Sequence, residues 1–330
     1  FGEPHFFNQQ NRHRPMILGS DTTRCHPRGC NCPICRGSGA ATTWRERKQH
    51  RQNHLPIIDA HCHYGPGDGL NGPWDTRADP TKFLRWADQS GIHRINLFAA
   101  FHSDYRTANR IVARLVRRHP DRFFGFAFVH AERDRGRIRD LVREAVEEHG
   151  FRGIKAHRHD ADLTREVCET ARAYRLPVLY DLMGNVTSIE LFATEYPDVN
   201  FIIPHLGSFA DDWKAQLNFI PYLERHVNVH TDTSGVRRFD LLEMAVQRAG
   251  AHKVLFGSDG PWLHPGVELE KVYALRLPPQ QEALVLGGNF LRLISATRTV
   301  PLRAEPLFAS SEARLPLVGG DPWLREGVVV

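Results

Sequence analysis

The chain has no run of about 18 consecutive apolar residues, so no membrane-spanning helix and no membrane partner are expected. Its first residues, Phe1 to Gln10, lack the basic-then-apolar order of a secretory signal. Cysteines spread out as a disulfide framework would need are absent. Of six, Cys25, Cys30, Cys32 and Cys35 crowd together, while Cys62 and Cys168 stand alone, which points to a reducing, cytoplasmic setting. Excess positive charge is also missing from most of the length. The formal net charge of +5 comes from residues 1–55, where nine Lys/Arg face three Asp/Glu, leaving 34 basic and 35 acidic residues elsewhere. The basic balance therefore describes an arm. Few aromatic residues interleave its arginines, so nucleic acid is not the expected partner.

What is present begins near Leu55. Residues 1–55 are rich in Arg, His, Gly and Pro and show no helical or strand period. After them, short apolar runs alternate with amphipathic helical stretches, the pattern of repeated βα units around a parallel sheet. Eight runs predict strands: Ile57–His63, His93–Ala99, Phe123–His130, Gly153–His157, Pro177–Asp181, Asn200–His205, Val227–Asp232 and Lys253–Asp259. Helical segments between them are expected at Pro80–Gln89, Tyr105–His119, Arg135–Glu148, Leu163–Tyr174, Ser188–Glu195, Trp213–His226 and Phe239–Arg248, with a last one over Pro279–Ile294. The fold class is α/β, and eight such units predict a closed (β/α)8 TIM barrel over residues 56–295, with a tail over 296–330. An open doubly wound sheet uses the same units.

Strand interiors are Val, Ile, Leu and Phe, whereas the ends carry His63, His130, His157, Asp181, His205, Asp232 and Asp259. In a parallel barrel those ends share one face, so the chain sets polar side chains around a ring. The sharpest signal is Asp59-Ala-His61-Cys62-His63. Alternate residues of a strand share a face, so His61 and His63 point inward together and suit one divalent ion; Cys62 points the other way. Asp59 is either an orienting partner of a histidine or a buried structural carboxylate. His205 in NFIIPHLGS and Asp259 in KVLFGSDGPW suit the handling of a proton beside a metal-bound water. In GIKAHRHD, Lys155 and His157 share a face and are candidates for metal or substrate contact. Arg77, Arg106 and Arg158 are read in loops near strand ends and are candidates for clamping a substrate carboxylate. Trp74 and Trp262 fall in loops at the mouth, as pocket walls or barrel caps.

The order HxH on the first strand, PHLGS on the sixth and GSDGPW on the eighth resembles the amidohydrolase superfamily. Within it, the likeness is to the branch holding aminocarboxymuconate-semialdehyde decarboxylase and many small metal-dependent hydrolases. It covers residues 55–295. The resemblance implies that His61 and His63 are metal ligands, that Asp259 is a ligand or proton carrier, and that His205 activates water or polarises substrate. Zinc is the expected ion, with manganese and iron as alternatives. One position departs from the branch: its fifth strand usually ends in a histidine ligand, and here Asp181 stands there, able to bind a divalent ion through oxygen. In some other branches the strand-four lysine is carbamylated and bridges two metals, a minority reading for Lys155 with His157 and Asp181.

Three functions follow as expectations. The leading one is hydrolysis of a C–N or C–O bond, as in an amide or lactone, of a small carboxylate-bearing substrate by metal-activated water. The second is non-oxidative decarboxylation of an unsaturated or aromatic acid. The third is a binding protein using the basic arm, where Cys25, Cys30, Cys32 and Cys35 have the density of a thiolate site for zinc or an iron–sulfur cluster. A homodimer is the candidate assembly.

Overall fold

Each repeat is set locally by an apolar run that stops at a polar residue, followed by a helix with its own start signal. A computed structural model of the chain describes residues 56–68 and 77–297. The Cys-rich arm, Trp74 and nearly all of the C-terminal tail lie outside the described residues. The strands are β1 (Ile58–Pro66), β2 (Arg77–Ala78), β3 (Arg94–Ala99), β4 (Phe123–Phe128), β5 (Gly153–His157), β6 (Val178–Asp181), β7 (Phe201–Ile203), β8 (Val229–Asp232) and β9 (Val254–Leu255). The helices are α1 (Pro80–Gln89), α2 (Tyr105–Arg118), α3 (Ile138–Glu147), α4 (Arg165–Tyr174), α5 (Ser188–Glu195), α6 (Trp213–Arg225), α7 (Phe239–Ala249), α8 (Pro265–Ala274), α9 (Pro279–Ala283) and α10 (Asn289–Ile294).

Capping explains where helices begin. Asp79 accepts the Thr81 N–H at 2.9 Å ahead of Pro80, which needs no donor at that position. Asp104 caps α2 through the Arg106 and Thr107 N–H groups, and Arg117 and Arg118 sit in its last turn, where cations suit the helix dipole.

The sheet runs β2-β1-β3-β4-β5-β6-β7-β8-β9, all parallel except the short β2 paired antiparallel with β1. The regular β9 ladder ends at Leu255, and the rest of the expected eighth strand forms the closing seam. Ala60 N–H donates to Phe256 O (2.9 Å), Asp259 N–H to His61 O (2.8 Å) and His63 N–H to Gly260 O (2.7 Å). The eight-stranded (β/α)8 barrel is thus closed, as the repeat pattern implied. Ile58, Ala60, Phe98, Phe126, Leu179, Ile202 and Leu255 fill its interior, and Phe290 from α10 packs against them, its ring 6.0 Å from that of Phe126. A second apolar layer lies between sheet and helices.

The short β2 was not expected, and two helical elements also differ from expectation. The single helix expected over Pro279–Ile294 is interrupted by a wide turn at Leu284–Gly288. There the Val285 carbonyl accepts the Phe256 N–H at 2.8 Å, and a Cβ on Gly287 would stand 2.4 Å from Pro56 O, an approach that excludes any side chain. Helix α8 was not foreseen, although Pro265 at its start and the buried Glu268, Leu269 and Val272 carry a helical signature.

Neighbouring strands interlock through glycine. A Cβ on Gly153 would meet the Phe126 ring at 2.4 Å, and one on Gly125 the Phe151 ring at 2.5 Å. Gly153→Ala is therefore expected to lower the unfolding free energy by about 1–3 kcal/mol, because a packed core resists an added methyl. Denaturant melts of the two proteins measure this; equal midpoints and slopes would show that the ring yields freely.

Candidate metal centre

The polar strand ends meet on the barrel's C-terminal face. His61 and His63 on β1 are buried, with rings 5.6 Å apart, and His205 lies 5.0 Å from His61. A register shift in the pairing of β1 with β3 between Asp59 and Cys62 lets Asn96 Nδ2 donate to Ala60 O at 3.1 Å, satisfying the irregular turn of strand that carries His61. Two site residues have left-handed backbones: His205 (φ 59°) and Asp259 (φ 57°). Leu206 shares this conformation (φ 53°). Such conformations cost about 1–3 kcal/mol each and persist only where surroundings impose them. Here Asp232 Oδ1 takes the His205 N–H at 3.3 Å and Thr231 Oγ1 takes the Leu206 N–H at 3.2 Å, turning the chain so that the imidazole enters the mouth.

Hydrogen bonds assign the tautomers. His61 Nδ1 faces Asp232 Oδ2 at 2.8 Å, His63 Nδ1 faces Ala99 O at 3.0 Å, and His205 Nδ1 faces Ser234 O at 2.7 Å. Each partner accepts, so each Nδ1 carries the proton and each Nε2 is a bare lone pair. Those lone pairs face carboxylates. His61 Nε2 and His63 Nε2 each stand 3.4 Å from Asp259 Oδ1, and His205 Nε2 stands 3.5 Å from Asp181 Oδ2. Burial, outweighing the neighbouring carboxylates, lowers the pKa of His61 and His63, which favours the neutral rings.

Lone pair facing lone pair repels unless a cation lies between. For a tetrahedral ion with ligands at about 2.1 Å, the ligand atoms are separated by about 3.4 Å. The His61–Asp259 and His63–Asp259 pairs have that spacing, and all three ligand atoms lie within 4.8 Å of one another, so the residues fit a divalent ion. Charge agrees. Asp181 and Asp232 are buried and Asp259 is 13% exposed; hydrogen bonds from His157 to Asp181, and from His61 and Ser234 to Asp232, hold those two carboxyls below the usual range despite burial. Against these three stands Lys155, fully buried, its Nζ 5.0 Å from the Phe98 ring centroid and its pKa lowered by burial. Burial pushes the Asp59 carboxyl up to about 7; its Oδ1 holds the backbone of His61 (3.3 Å) and Ser258 (2.9 Å), a role in tying the first strand to the last.

A second trio, His61, His205 and Asp232, also has ligand spacing. Its carboxylate is already engaged, however. Asp232 Oδ1 accepts from Ser234 N (3.0 Å), Ser234 Oγ (2.5 Å) and His205 N, and Oδ2 accepts from His61. Asp232 therefore orients the imidazoles rather than offering a free ligand atom.

His157 differs from the other histidines. Its Nδ1 accepts the His159 N–H at 3.0 Å, so the proton is on Nε2, which lies 3.2 Å from Asp181 Oδ2. That makes His157 a donor holding Asp181 in place. Asp181 thus sits between His157 and His205, and belongs to neither trio with ligand spacing. Trp262 packs over His63 with ring centroids 4.4 Å apart, and Phe209 meets His205 edge-on at 5.1 Å.

The arginines are dispersed. Arg106 is in the first turn of α2, not in a loop, and its guanidinium faces Glu144 on α3 at 3.1 Å. Arg158 follows β5, pairs with Asp162 at 2.7 Å and donates its backbone N–H to Asp181 O at 3.0 Å. Arg77 lies exposed in β2. Sequence reading left Asp232 out of the site although it ends a strand as Asp259 does. It missed Ser234 altogether, since a serine two residues past a strand carries no distinctive signal.

The amidohydrolase family model matches residues 58–294. A search of curated proteins found no match. Among solved structures, 5-carboxyvanillate decarboxylase from Sphingomonas paucimobilis is similar at 16% identity and a TM-score of 0.59, covering 73% of this chain and 99% of that one. A probable 2-pyrone-4,6-dicarboxylic acid hydrolase from Acinetobacter baumannii, with citric acid bound, gives 16% identity, a TM-score of 0.56 and coverage of 73% and 100%. A dihydroxybenzoic acid decarboxylase from Polaromonas sp., with bound manganese and the inhibitor 2-nitroresorcinol, gives 18%, 0.54, and 73% and 97%. At these identities the likeness is one of fold.

Proposed function

Because the chain belongs to the amidohydrolase family, we propose that it is a metal-dependent hydrolase acting on a C–N or C–O bond, as in an amide or lactone, of a small carboxylate-bearing substrate. The observation that carries this is the convergence of bare imidazole nitrogens on buried carboxylates. His61, His63 and Asp259 would hold the ion, with Asp181 as a further oxygen ligand. Zinc is the proposed metal, and the manganese in a structure of the same fold makes that ion the alternative. When bound, the ion supplies Lewis acidity toward a substrate oxygen and lowers the pKa of water.

The chain's own groups do the rest. His205, its Nδ1 proton held by Ser234 O, presents a bare Nε2 that can take a proton and return it to the leaving group. Asp232 holds the His61 tautomer, and His157 holds Asp181. Lys155, among the carboxylates at the base of the mouth, steadies the charge there. Arg158 and Arg77 are the proposed contacts for a substrate carboxylate, and Trp262 and Phe209 wall the ring. Among the described residues no helix is long and apolar enough to cross a membrane, and Cys62 and Cys168 are buried free thiols, which supports a cytoplasmic setting.

Decarboxylation of an aromatic acid is the second reading, favoured by the decarboxylases of the same fold. Turnover of lactones and hydroxybenzoic acids in ¹⁸O-labelled water separates the two. Hydrolysis places one ¹⁸O in the product carboxylate, whereas decarboxylation releases CO₂ and places a solvent proton on carbon. CO₂ release with no ¹⁸O in the organic product would replace the hydrolase reading, and neither product from fully metal-loaded protein would end both.

The arm is proposed to hold a second ion through Cys25, Cys30, Cys32 and Cys35, as zinc or an iron–sulfur cluster. Cys30→Ser with Cys32→Ser is expected to remove that ion and leave barrel metal and turnover unchanged. Elemental analysis of anaerobically purified protein checks this, and an unchanged metal content would refute it.

A further inference from the structure

Helix α8 lies after the last barrel strand, and its side chains reach the loop that follows β8. Glu268, buried to 7% exposure, accepts the Gly235 N–H on Oε2 at 2.9 Å. The same oxygen meets Lys271 Nζ at 2.6 Å. Lys271 in turn donates to Thr233 O at 2.8 Å and Val236 O at 3.0 Å. One ion pair, one turn apart on a helix, thus satisfies three backbone groups within four successive loop residues.

That loop sets His205. The Ser234 carbonyl takes the His205 Nδ1 proton at 2.7 Å, and Ser234 Oγ lies 2.9 Å from the same nitrogen while donating to Asp232. Next along, Gly235 supports the wall of the same ring. A Cβ there would stand 2.4 Å from Phe209, whose ring meets His205 edge-on. Gly235 has φ 62°, so the loop must hold a left-handed turn at the residue whose N–H Glu268 receives.

We propose that Glu268 and Lys271 are positioning residues for His205: their ion pair clamps loop 233–236 so that the Ser234 carbonyl keeps the proton on Nδ1 and leaves Nε2 bare toward the mouth. Neither side chain touches the proposed metal ligands. Glu268 is buried and Lys271 only 19% exposed, and a pair so largely withdrawn from water contributes little net stability by itself. The consequence for turnover rests on the reading of His205 as the proton carrier; the clamp itself does not.

The test uses the full-length chain with ¹⁵N-labelled histidine, with and without added zinc, and His205→Gln to assign the signal. The wild type is expected to show His205 as the Nδ1–H tautomer. Lys271→Met and Glu268→Gln should each convert it to a mixture and lower kcat about 10- to 100-fold, the range seen when partners of ligating groups are lost, with KM and zinc stoichiometry little changed. Lys271→Arg, which keeps a donor for the two carbonyls, should restore the tautomer. Arg248→Met, which breaks an exposed pair with Glu224, should leave it intact. A lower melting temperature with an unchanged His205 tautomer in Lys271→Met would overturn the proposal. A changed tautomer with unchanged turnover would uphold the clamp and remove His205 from the reaction.

Discussion

Replacing both His61 and His63 with alanine is expected to empty the barrel of bound metal and abolish turnover while the protein stays folded. The two Nε2 atoms account for two of the three ligand positions around Asp259 Oδ1, each 3.4 Å from it. The carboxylates left behind, Asp259 and the proposed ligand Asp181, lack the imidazole nitrogens that complete the site. Loss of outer partners alone costs about 10–100-fold in metal affinity or activity, and loss of two ligands exceeds that. The fold should survive because Phe126, Leu179 and Phe290 fill the barrel interior, although Phe98, whose ring lies 5.1 Å from His61 and 4.5 Å from His63, loses those contacts. A stability cost is still expected, since Asp232 Oδ2 and Ala99 O each lose a buried donor. Elemental analysis, circular dichroism and turnover on one preparation provide the check. Full barrel occupancy in the double variant would mean that the ion, if any, lies at another set of residues.

Asp181→Asn carries the second large effect. The substitution keeps size and shape, but the two donors approach different oxygens: Oδ1 takes the Met183 N–H at 2.8 Å and Oδ2 takes the His157 Nε2–H. The variant therefore removes the charge and one of these two acceptors. The His157 Nε2–H hydrogen bond and the nearby Lys155 overcome burial and hold this carboxyl well below the usual carboxylate range, so it is ionised across the pH range of an assay. The loss should therefore be constant between about pH 5 and 9. If Asp181 takes the position that a fifth-strand histidine fills in related proteins, metal affinity should fall about 10-fold or more. Asp181→His should keep metal and alter activity. A metal titration of the three proteins decides the matter: equal affinity in wild type and Asp181→Asn would leave Asp181 as the partner of His157 alone. His157 is not the substitute ligand in that case, because its Nε2 carries the proton.

The barrel was legible because each repeat signals itself locally. Runs such as FFGFAF and GIKAH, ended by polar residues and followed by amphipathic helices, need no knowledge of distant contacts. The inward pairing of His61 and His63 was legible for the same reason, since strand alternation is a local rule. Arg106 was placed in a loop although the same local pattern put it inside the helix expected over Tyr105–His119; the Asp104 cap starts that helix, and the guanidinium turns to Glu144.

The amino-acid sequence by itself determined the eight βα units, the ring of polar strand ends and the HxH pair, because these depend on periods of two and 3.6 residues and on capping chemistry within a few positions. Only the tertiary structure decided which nitrogen of each imidazole is bare. That depends on acceptors 36, 171 and 29 residues away in the chain: Ala99 O for His63, Asp232 for His61 and Ser234 O for His205. It likewise separated His157, a donor, from the three bare imidazoles, and gave Glu268 and Lys271 a loop to hold. A hydrogen bond is made in space, and the sequence distance between its partners is set by the closure of the barrel rather than by any pattern within a strand.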